Sequence, residues 1–398
     1  MLAHGVSRNT GIVAKRALGC WLTDVHGQSY LDFTAGIGAL STGHSHPHVV
    51  AAVCKQVPQM VHAQQNCVYT HPQQQRVLRY LSAVLPSSLG SIFFTNSGSE
   101  GVENAIKVAR AATGRPNVVS FVGGFHGRTL GAMSLSSSRV SCRQGFQPLM
   151  PGVFQLDYPL DPQHFQRQLK TLFERQSAPA ETAAVLLEPV LGEGGVHQAH
   201  AEAVAHLREE CTRHGILWIS DEVQTGMGRT GEWWGYEHFG VEPDAVIFGK
   251  GIASGFPLAG VAAAPEHFVA IQPNGLGGTY NGNAVAMAAA AATLEVFHAE
   301  DLVQAAAYMG QQLAQQLRDL QHPLICEVRQ YGLMLAVELE LPRSALPDLL
   351  ALAPAHGLLL LSTGLGATVR LLPPLTVQES DLAVFVQQFA TLLEAARP

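Results

Sequence analysis

Short apolar runs that stop abruptly at polar or glycine residues recur through the middle of the chain. Ser91-Ile92-Phe93-Phe94-Thr95, Val118 to Val122, Ala183 to Leu187, Trp218-Ile219-Ser220 and Ile247-Phe248 are too short for buried helices. They also lack the alternation of a half-wet strand, so they read as strands covered on both faces. Between them lie helical patterns. Val102, Ile106 and Ala109 make one apolar face of a helix running to about Thr113, and Ala201 to His214 is amphipathic and closed by Gly215. Strand, helix, strand, repeated in this way, predicts an α/β fold around a parallel sheet with right-handed crossovers. In such sheets ligands bind beyond the C-terminal ends of the strands.

The two ends of the chain follow other rules. Cys20 to Phe33 alternates apolar and polar around Asp24-Val25-His26-Gly27, the pattern of a β-hairpin. Pro257 to Ala262 predicts a further strand, and the alanine-rich segment Asn283 to His298 a helix. Beyond about Glu300 come a Gln- and Leu-rich helix, strands over Glu327 to Glu338 and Leu358 to Leu372, and a last helix from Gln378 to Arg397. That is α+β in character. It predicts a large domain over residues 49–300 and a smaller one built from 1–48 and 301–398.

Composition narrows the function classes. A chain of 398 residues, 47% hydrophobic, can bury a large core. A net charge of -7 without any lysine or arginine run argues against a nucleic-acid partner. The six cysteines, Cys20, Cys54, Cys67, Cys142, Cys211 and Cys326, form no Cys-x-x-Cys pair, so neither zinc nor a disulfide framework is expected. A reducing, cytoplasmic setting fits this usage. Met1 to Arg16 has no basic region leading into an apolar core, and no apolar run is long enough to span a membrane. His44, His46 and His48 crowd one short stretch, but without a helical pair or a neighbouring acid they read as a loop rather than a metal site.

The chemistry gathers at the strand ends. Trp218-Ile219-Ser220 runs into Asp221-Glu222-Val223-Gln224, and Ile247-Phe248 into Gly249-Lys250-Gly251. An acid and an amine on two buried strands predict a ligand held between them. Asn96-Ser97-Gly98-Ser99-Glu100, between a strand and a helix, is an anion site or simply a Ser-capped helix start. Gly123 to Thr129 surrounds Phe125, His126 and Arg128 with glycines. Phe125 can stack on a ring and Arg128 can clamp a carboxylate, or each can serve packing and solubility. Glu188 to Gly195 is a loop with ligand access or a surface turn. Gly275 to Gly282 fits neither a dinucleotide fingerprint nor a P-loop.

Taken together, Asn96-Ser97-Gly98-Ser99-Glu100, Gly124-Phe125-His126-Gly127-Arg128-Thr129, the Asp221-Glu222-x-x-x-Gly226 run, Asp244 and Gly249-Lys250-Gly251 resemble the class III aminotransferases. The resemblance extends from about Leu31 to beyond Arg370. Glu188 to Gly195, Asp221 to Gly231, Phe256 to Gly260 and Gly275 to Tyr280 are most similar to 4-aminobutyrate aminotransferases. The resemblance implies pyridoxal 5'-phosphate, the fold type I architecture with a mostly parallel seven-stranded sheet, and a homodimer with shared sites. It also implies a small-molecule amino donor and 2-oxoglutarate as substrates, with the terminal amine of an ω-amino acid passing to the oxo acid.

Residue by residue, the resemblance places the cofactor's covalent attachment on Lys250 and the partner of its ring nitrogen on Asp221. Gln224 addresses the phenolic oxygen, and Phe125 stacks beside His126. Gly98 and Ser99 hold the phosphate, with Thr279 arriving from the neighbouring subunit. Arg128 takes the distal carboxylate, and Glu193 and Arg370 form a gate for the α-carboxylate. Ile37 contacts substrate. A protonated ring nitrogen, kept so by Asp221, lets the ring absorb a carbanion's electrons, and Lys250 moves the proton.

Some positions depart from the 4-aminobutyrate pattern. Leu191 stands where glutamine is usual, Ala284 replaces a proline, and the length is nearer that of acetylornithine aminotransferases. An acetylornithine or ornithine aminotransferase, or a racemase or epimerase of the same family, is therefore an alternative. A nucleotide- or sugar-binding protein without chemistry is a further one, and replacing Lys250 with alanine discriminates it.

Overall fold

The computed structural model describes residues 3, 5–6, 8, 10–66 and 68–396. Its centre is a seven-stranded sheet in the spatial order Ser91–Thr95, Ala259–Ala263, Ala245–Phe248, Leu217–Asp221, Thr182–Leu187, Asn117–Phe121, Val153–Leu156. From Ala245–Phe248 outward to Val153–Leu156 every pairing is parallel. Ala259–Ala263 instead runs antiparallel to both neighbours. A parallel return needs roughly a dozen residues or more for a crossover. The chain leaves Phe248 and re-enters the sheet at Ala259 through residues 249–258, which hold only the single helical turn Lys250–Ala253, so it doubles back. The sheet is thus the mostly parallel one expected, with one strand reversed immediately after Lys250.

Side chains leave the central strands alternately to two apolar layers. Leu217 and Ile219 pack with Val102, Ala105, Ile106 and Ala109 of the Gly98–Thr113 helix. Trp218 points the other way, to Val204 and Leu207 of the Ala201–His214 helix. A one-residue slip would exchange the two layers, so burial fixes the register. Trp218 is fully buried, and a ring of that size contributes roughly 4–6 kcal/mol of transfer free energy at ~25 cal/mol per Å². Asp244 anchors the start of this strand by accepting from the Trp218 backbone N–H at 2.8 Å and from Arg208 at 2.7 Å.

Two smaller sheets flank the large one. Trp21–Asp24 and Ser29–Asp32 form the expected hairpin, extended by Ala14–Leu18 on one side. On the other side Leu358–Leu359, from near the other end of the chain, joins it in parallel. The second sheet has the order Ile325–Tyr331, Met334–Leu339, Thr368–Leu371, Leu361–Ser362. Here the sequence reading was too coarse. Glu327 to Glu338 is a hairpin turning at Gly332, where φ is 51°. Leu358 to Leu372 is broken into three short strands, at Leu360 and at Thr363 to Ala367, and Arg370 is brought back opposite Leu361. The last helix spans Glu379–Ala395, and Arg397, expected at its end, lies outside the described residues. No helix among the described residues is long and apolar enough to cross a membrane. Cys20, Cys54, Cys142, Cys211 and Cys326 are free thiols, while Cys67 falls outside the described residues.

Candidate active site

At the C-terminal end of the central strand Asp221 and Glu222 face in different directions. Glu222 is fully buried and accepts hydrogen bonds from the Ser220 hydroxyl at 2.9 Å, the Gly235 N–H at 2.8 Å, the Tyr236 N–H at 2.9 Å and the Thr225 hydroxyl. Burial pushes its carboxyl up to about 7, with those donors opposing. It is a structural clamp that ties the loop after the strand to the Gly235 turn. Asp221 turns toward the cavity. Its Oδ1 accepts from the Val223 N–H at 3.1 Å and its Oδ2 lies 2.7 Å from His126 Nδ1. Burial opposes charge on His126, but the hydrogen bond and charge of Asp221, with Glu188 behind, raise its pKa above the ordinary imidazole value. Gly124 leaves room for this ring: a Cβ there would stand 2.9 Å from His126 Nε2.

Lys250 follows the neighbouring strand in a backbone conformation, φ 41°, that non-glycine residues rarely adopt. The turn is held by Ser41, whose hydroxyl donates to the Gly251 carbonyl at 3.0 Å, and by Thr42, whose backbone N–H donates to the Ser254 hydroxyl at 3.1 Å. Loss of hydration, and then the positive charge of Arg370, lower the Lys250 ammonium from 10.5 to about 8. Glu193, Glu188 and Asp221 oppose this. The amine is thus partly neutral near neutral pH, as a nucleophile or proton carrier requires.

Asp221, Lys250, Ser97, Gly98, Ser99, Phe125, His126, Gln224 and Arg370 line one cavity of about 1080 Å³. At one end the Gly98–Thr113 helix begins, with the Ser97 side chain accepting from the Glu100 N–H at 3.3 Å. The capped-helix and anion-site readings are therefore compatible, because the helix start opens into the cavity. Backbone approaches closely there. A Cβ on Gly98 would meet Val223 at 2.7 Å, and one on Gly127, where φ is 136°, would meet the Ser99 hydroxyl at 2.2 Å. On the wall, Gly192 packs so tightly that a Cβ would stand 1.5 Å from the Gln224 amide nitrogen. Glu188 is buried rather than on a surface turn. It accepts from the Phe125 N–H at 2.7 Å and the Gly192 N–H at 3.0 Å, joining two loops of the site. Burial pushes its carboxyl up to about 7 against the opposing charge of His126.

The far side of the cavity carries the cations. Arg370 is buried and reaches Glu193 Oε1 at 2.8 Å, the Gly192 carbonyl at 2.8 Å and the Gln224 carbonyl oxygen at 3.3 Å. Arg128 is exposed, its guanidinium 5.8 Å from the centre of the Phe125 ring. Ile37 borders the mouth, 48% exposed, with φ 66°. Thr279 is the one expected site residue that a single chain does not bring here. It is exposed and lines a separate depression with Asn96, Gly278 and Lys107. Sequence reasoning passed over Arg139, which lines the cavity and contacts Glu193, since nothing in Ser136-Ser137-Ser138-Arg139 sets that arginine apart. It also took the histidine stretch to lack acidic partners. His44 pairs with Asp32, His46 with Glu300 and His48 with Glu295, each a different and distant carboxylate.

A flat, protonated heteroaromatic ring bearing a phosphate suits this donor set. A buried carboxylate backed by imidazole faces an amine of lowered pKa, a phenyl ring stands beside them, and a helix start of small residues opens at one end. The class-III aminotransferase family model matches residues 2–393. The 5-aminovalerate aminotransferase of Pseudomonas putida is 39% identical, over 98% of this chain and 96% of the relative. The 4-aminobutyrate aminotransferase of Escherichia coli is 39% identical over 96% and 93%, and the acetylornithine aminotransferase of Bacillus subtilis 38% over 94% and 93%. An (S)-enantioselective omega-transaminase from Thermomicrobium roseum superposes with a TM-score of 0.90 at 31% identity, covering 97% of this chain and 93% of that one.

Proposed function

The chain belongs to the class III aminotransferases, which depend on pyridoxal 5'-phosphate, and from that membership we propose that it moves the terminal amine of an ω-amino acid of the 4-aminobutyrate type to 2-oxoglutarate. The products are a semialdehyde and glutamate, formed by a ping-pong sequence. The observation that carries this reading is the 2.8 Å ion pair between Glu193 and buried Arg370, in a cavity that also exposes Arg128. Arg370 is paired with Glu193, while Arg128 is exposed to the cavity. That suits a donor with a single distant carboxylate, followed by an acceptor with two.

When bound, the cofactor supplies an electron-poor ring that accepts the electrons released at the substrate carbon. Asp221, oriented by His126, would hold the proton on the ring nitrogen, and Phe125 would pack on the ring. Gln224 addresses the phenolic oxygen. Gly98 and Ser99 present backbone N–H groups to the phosphate at the positive end of their helix, and Thr279 of a neighbouring subunit completes that end. Lys250 would hold the cofactor covalently, and its amine, of lowered pKa, would carry the proton at the substrate carbon. Arg128 holds the distal carboxylate in both half-reactions. Ile37 bounds the substrate at the mouth. For glutamate or 2-oxoglutarate, Glu193 leaves Arg370 and the α-carboxylate takes its place in a bidentate pair.

The same reading has the enzyme act as a cytoplasmic homodimer, with a large domain over 49–300 and a small one from 1–48 and 301–398. The 38% identity to an acetylornithine aminotransferase supports a second donor class, acetylornithine or ornithine. The test is to mix the purified holoenzyme with 4-aminobutyrate, 5-aminovalerate, N-acetylornithine or ornithine, without oxo acid, and follow conversion of the cofactor to its amine form by absorbance. Glutamate formation on adding 2-oxoglutarate completes it. No conversion with any of the ω-amino acids sinks the proposal, and loss of optical rotation from a single amino acid without oxo acid replaces it with a racemase.

A further inference from the structure

We infer that Arg139 is a positioning residue that receives the Glu193 carboxylate when Arg370 turns to a substrate carboxylate, and so sets how readily the site accepts its dicarboxylate substrate. The inference rests on the gate reading of Glu193 and Arg370 above. Glu193 stands between two guanidinium groups. Arg370 takes Oε1 at 2.8 Å, while Arg139 faces the other oxygen, Oε2, at 3.5 Å.

Arg139 is held in place but has donors to spare. Its Nη2 makes only long contacts, to Glu193 and, at 3.4 Å, to the Ser362 carbonyl, and its Nε is buried without a partner. Its stem is confined by Gly364, where a Cβ would meet the Ser138 carbonyl at 2.7 Å, the Glu193 carbonyl at 3.0 Å and Arg139 Cγ at 3.2 Å. The Gly364 N–H also donates to the Glu193 carbonyl at 2.6 Å. The Glu193 backbone is therefore tied to Gly364, in the loop that also packs against Arg139. A swing of the carboxylate alone suffices to shorten the Arg139 contact while the Arg370 contact is lost.

Charge conservation explains why such a group is needed. When a dicarboxylate enters, Arg370 exchanges one carboxylate for another. Glu193 is then left beside the incoming negative charge in a site where it is mostly buried. With Arg139, which it already faces, Glu193 keeps a guanidinium partner, and no charge is stranded. Without Arg139, Glu193 and the substrate compete for one cation.

The experiment compares the wild-type holoenzyme with Arg139→Gln and Arg139→Lys. Each half-reaction is read separately from the cofactor spectrum, with an ω-amino acid alone and with glutamate alone. Binding of glutarate and of butyrate, which carry no amine, is measured by calorimetry. In R139Q the ratio of kcat/KM for glutamate to that for the ω-amino acid falls about tenfold, the scale of one charged contact. The affinity ratio of glutarate to butyrate falls alongside it, and R139K restores most of both. Ratios equal to wild type, or a lysine variant no better than glutamine, overturn the inference. A wild type that accepts glutamate but no ω-amino acid overturns the functional proposal instead, and the glutarate-to-butyrate ratio then still decides Arg139.

Discussion

The Nδ1 atom of His126 lies 2.7 Å from Oδ2 of Asp221, and neither side chain is more than 3% exposed. The pair spans two strands of the central sheet: His126 comes from the loop after Asn117–Phe121, and Asp221 ends Leu217–Asp221. Removing the imidazole leaves a buried carboxylate oxygen without its donor, which costs about 3–5 kcal/mol. His126→Ala is expected to lower the melting temperature of the cofactor-free protein and to reduce kcat roughly 10- to 100-fold. His126→Asn, whose amide can donate to the same oxygen, recovers part of both. An alanine variant that melts with wild type and keeps its kcat contradicts this role.

Lys250 supports a pH prediction. Its ammonium is lowered from 10.5 to about 8, so the neutral amine that the proposed role requires for cofactor attachment accumulates through that pH. The rate of cofactor capture by the cofactor-free protein, followed by absorbance, is expected to rise with pH around a midpoint near 8. Stability moves in the same sense. Between about 8 and 10.5 the unfolded chain binds a proton that the folded one does not, so the Lys250 contribution to stability increases with pH across that window. A midpoint near 10.5 counts against the argument.

Glu222 has the opposite sign. Burial raises its carboxyl from 4.5 to about 7, so between those values the folded chain holds a proton that the unfolded one releases, and its contribution to stability falls as pH rises. Glu222→Gln removes this pH-dependent component. It also turns an amide donor against the Gly235 or Tyr236 N–H, leaving a buried donor unsatisfied at about 1–3 kcal/mol. Denaturant titrations of both proteins at pH 5 and pH 7.5 are expected to show a less stable variant with a flatter pH dependence.

Gly192 has no space for a side chain, since a Cβ would stand 1.5 Å from the Gln224 amide nitrogen. Gly192→Ala must displace Gln224, which Arg370 also contacts. Cofactor affinity, measured by fluorescence titration of the cofactor-free protein, is expected to weaken by roughly tenfold or more, about 1.4 kcal/mol. Unchanged affinity dissociates Gln224 from cofactor binding.

Arg128 and Arg370, two of the three arginines lining the cavity, separate the half-reactions. Arg128→Ala is expected to lower kcat/KM for both the ω-amino acid and glutamate. Arg370→Ala acts on glutamate chiefly, each by roughly 10- to 100-fold for the loss of a charged contact. Single-turnover kinetics with each substrate alone check this, and equal losses with both substrates in Arg370→Ala remove the gate.

Sequence pattern reached deepest where one physical requirement dominated. Strands wet on neither face are continuous apolar runs, so Ser91–Thr95, Thr182–Leu187 and Leu217–Asp221 were legible to within a residue. Polar groups at their ends were legible as a site. Val153–Leu156 was missed because an edge strand is only partly buried and its pattern is weak. The helices Pro72–Val84 and Pro162–Arg175 were also passed over. The reversal of Ala259–Ala263 depends on the length of a turn rather than on apolar pattern. Cavity residues from distant segments were harder still. Glu188 looked like part of a turn, and only the fold shows it accepting from two loops. Arg139 carries no local signal, because its significance lies wholly in the carboxylate across from it.

The parallel pairing of Leu358–Leu359 with Leu31–Asp32 has a consequence for biosynthesis. A ribosome completes the hairpin of residues 21–32 more than 300 residues before its parallel neighbour emerges, and contacts of such separation form late. Ile37 follows that hairpin directly, and Arg370 follows its late partner. Both the rim and the inner cation of the cavity therefore reach their places only after residues 358–359 have emerged. The nascent chain can assemble the central sheet first, before the surroundings of Ile37 and Arg370 are complete.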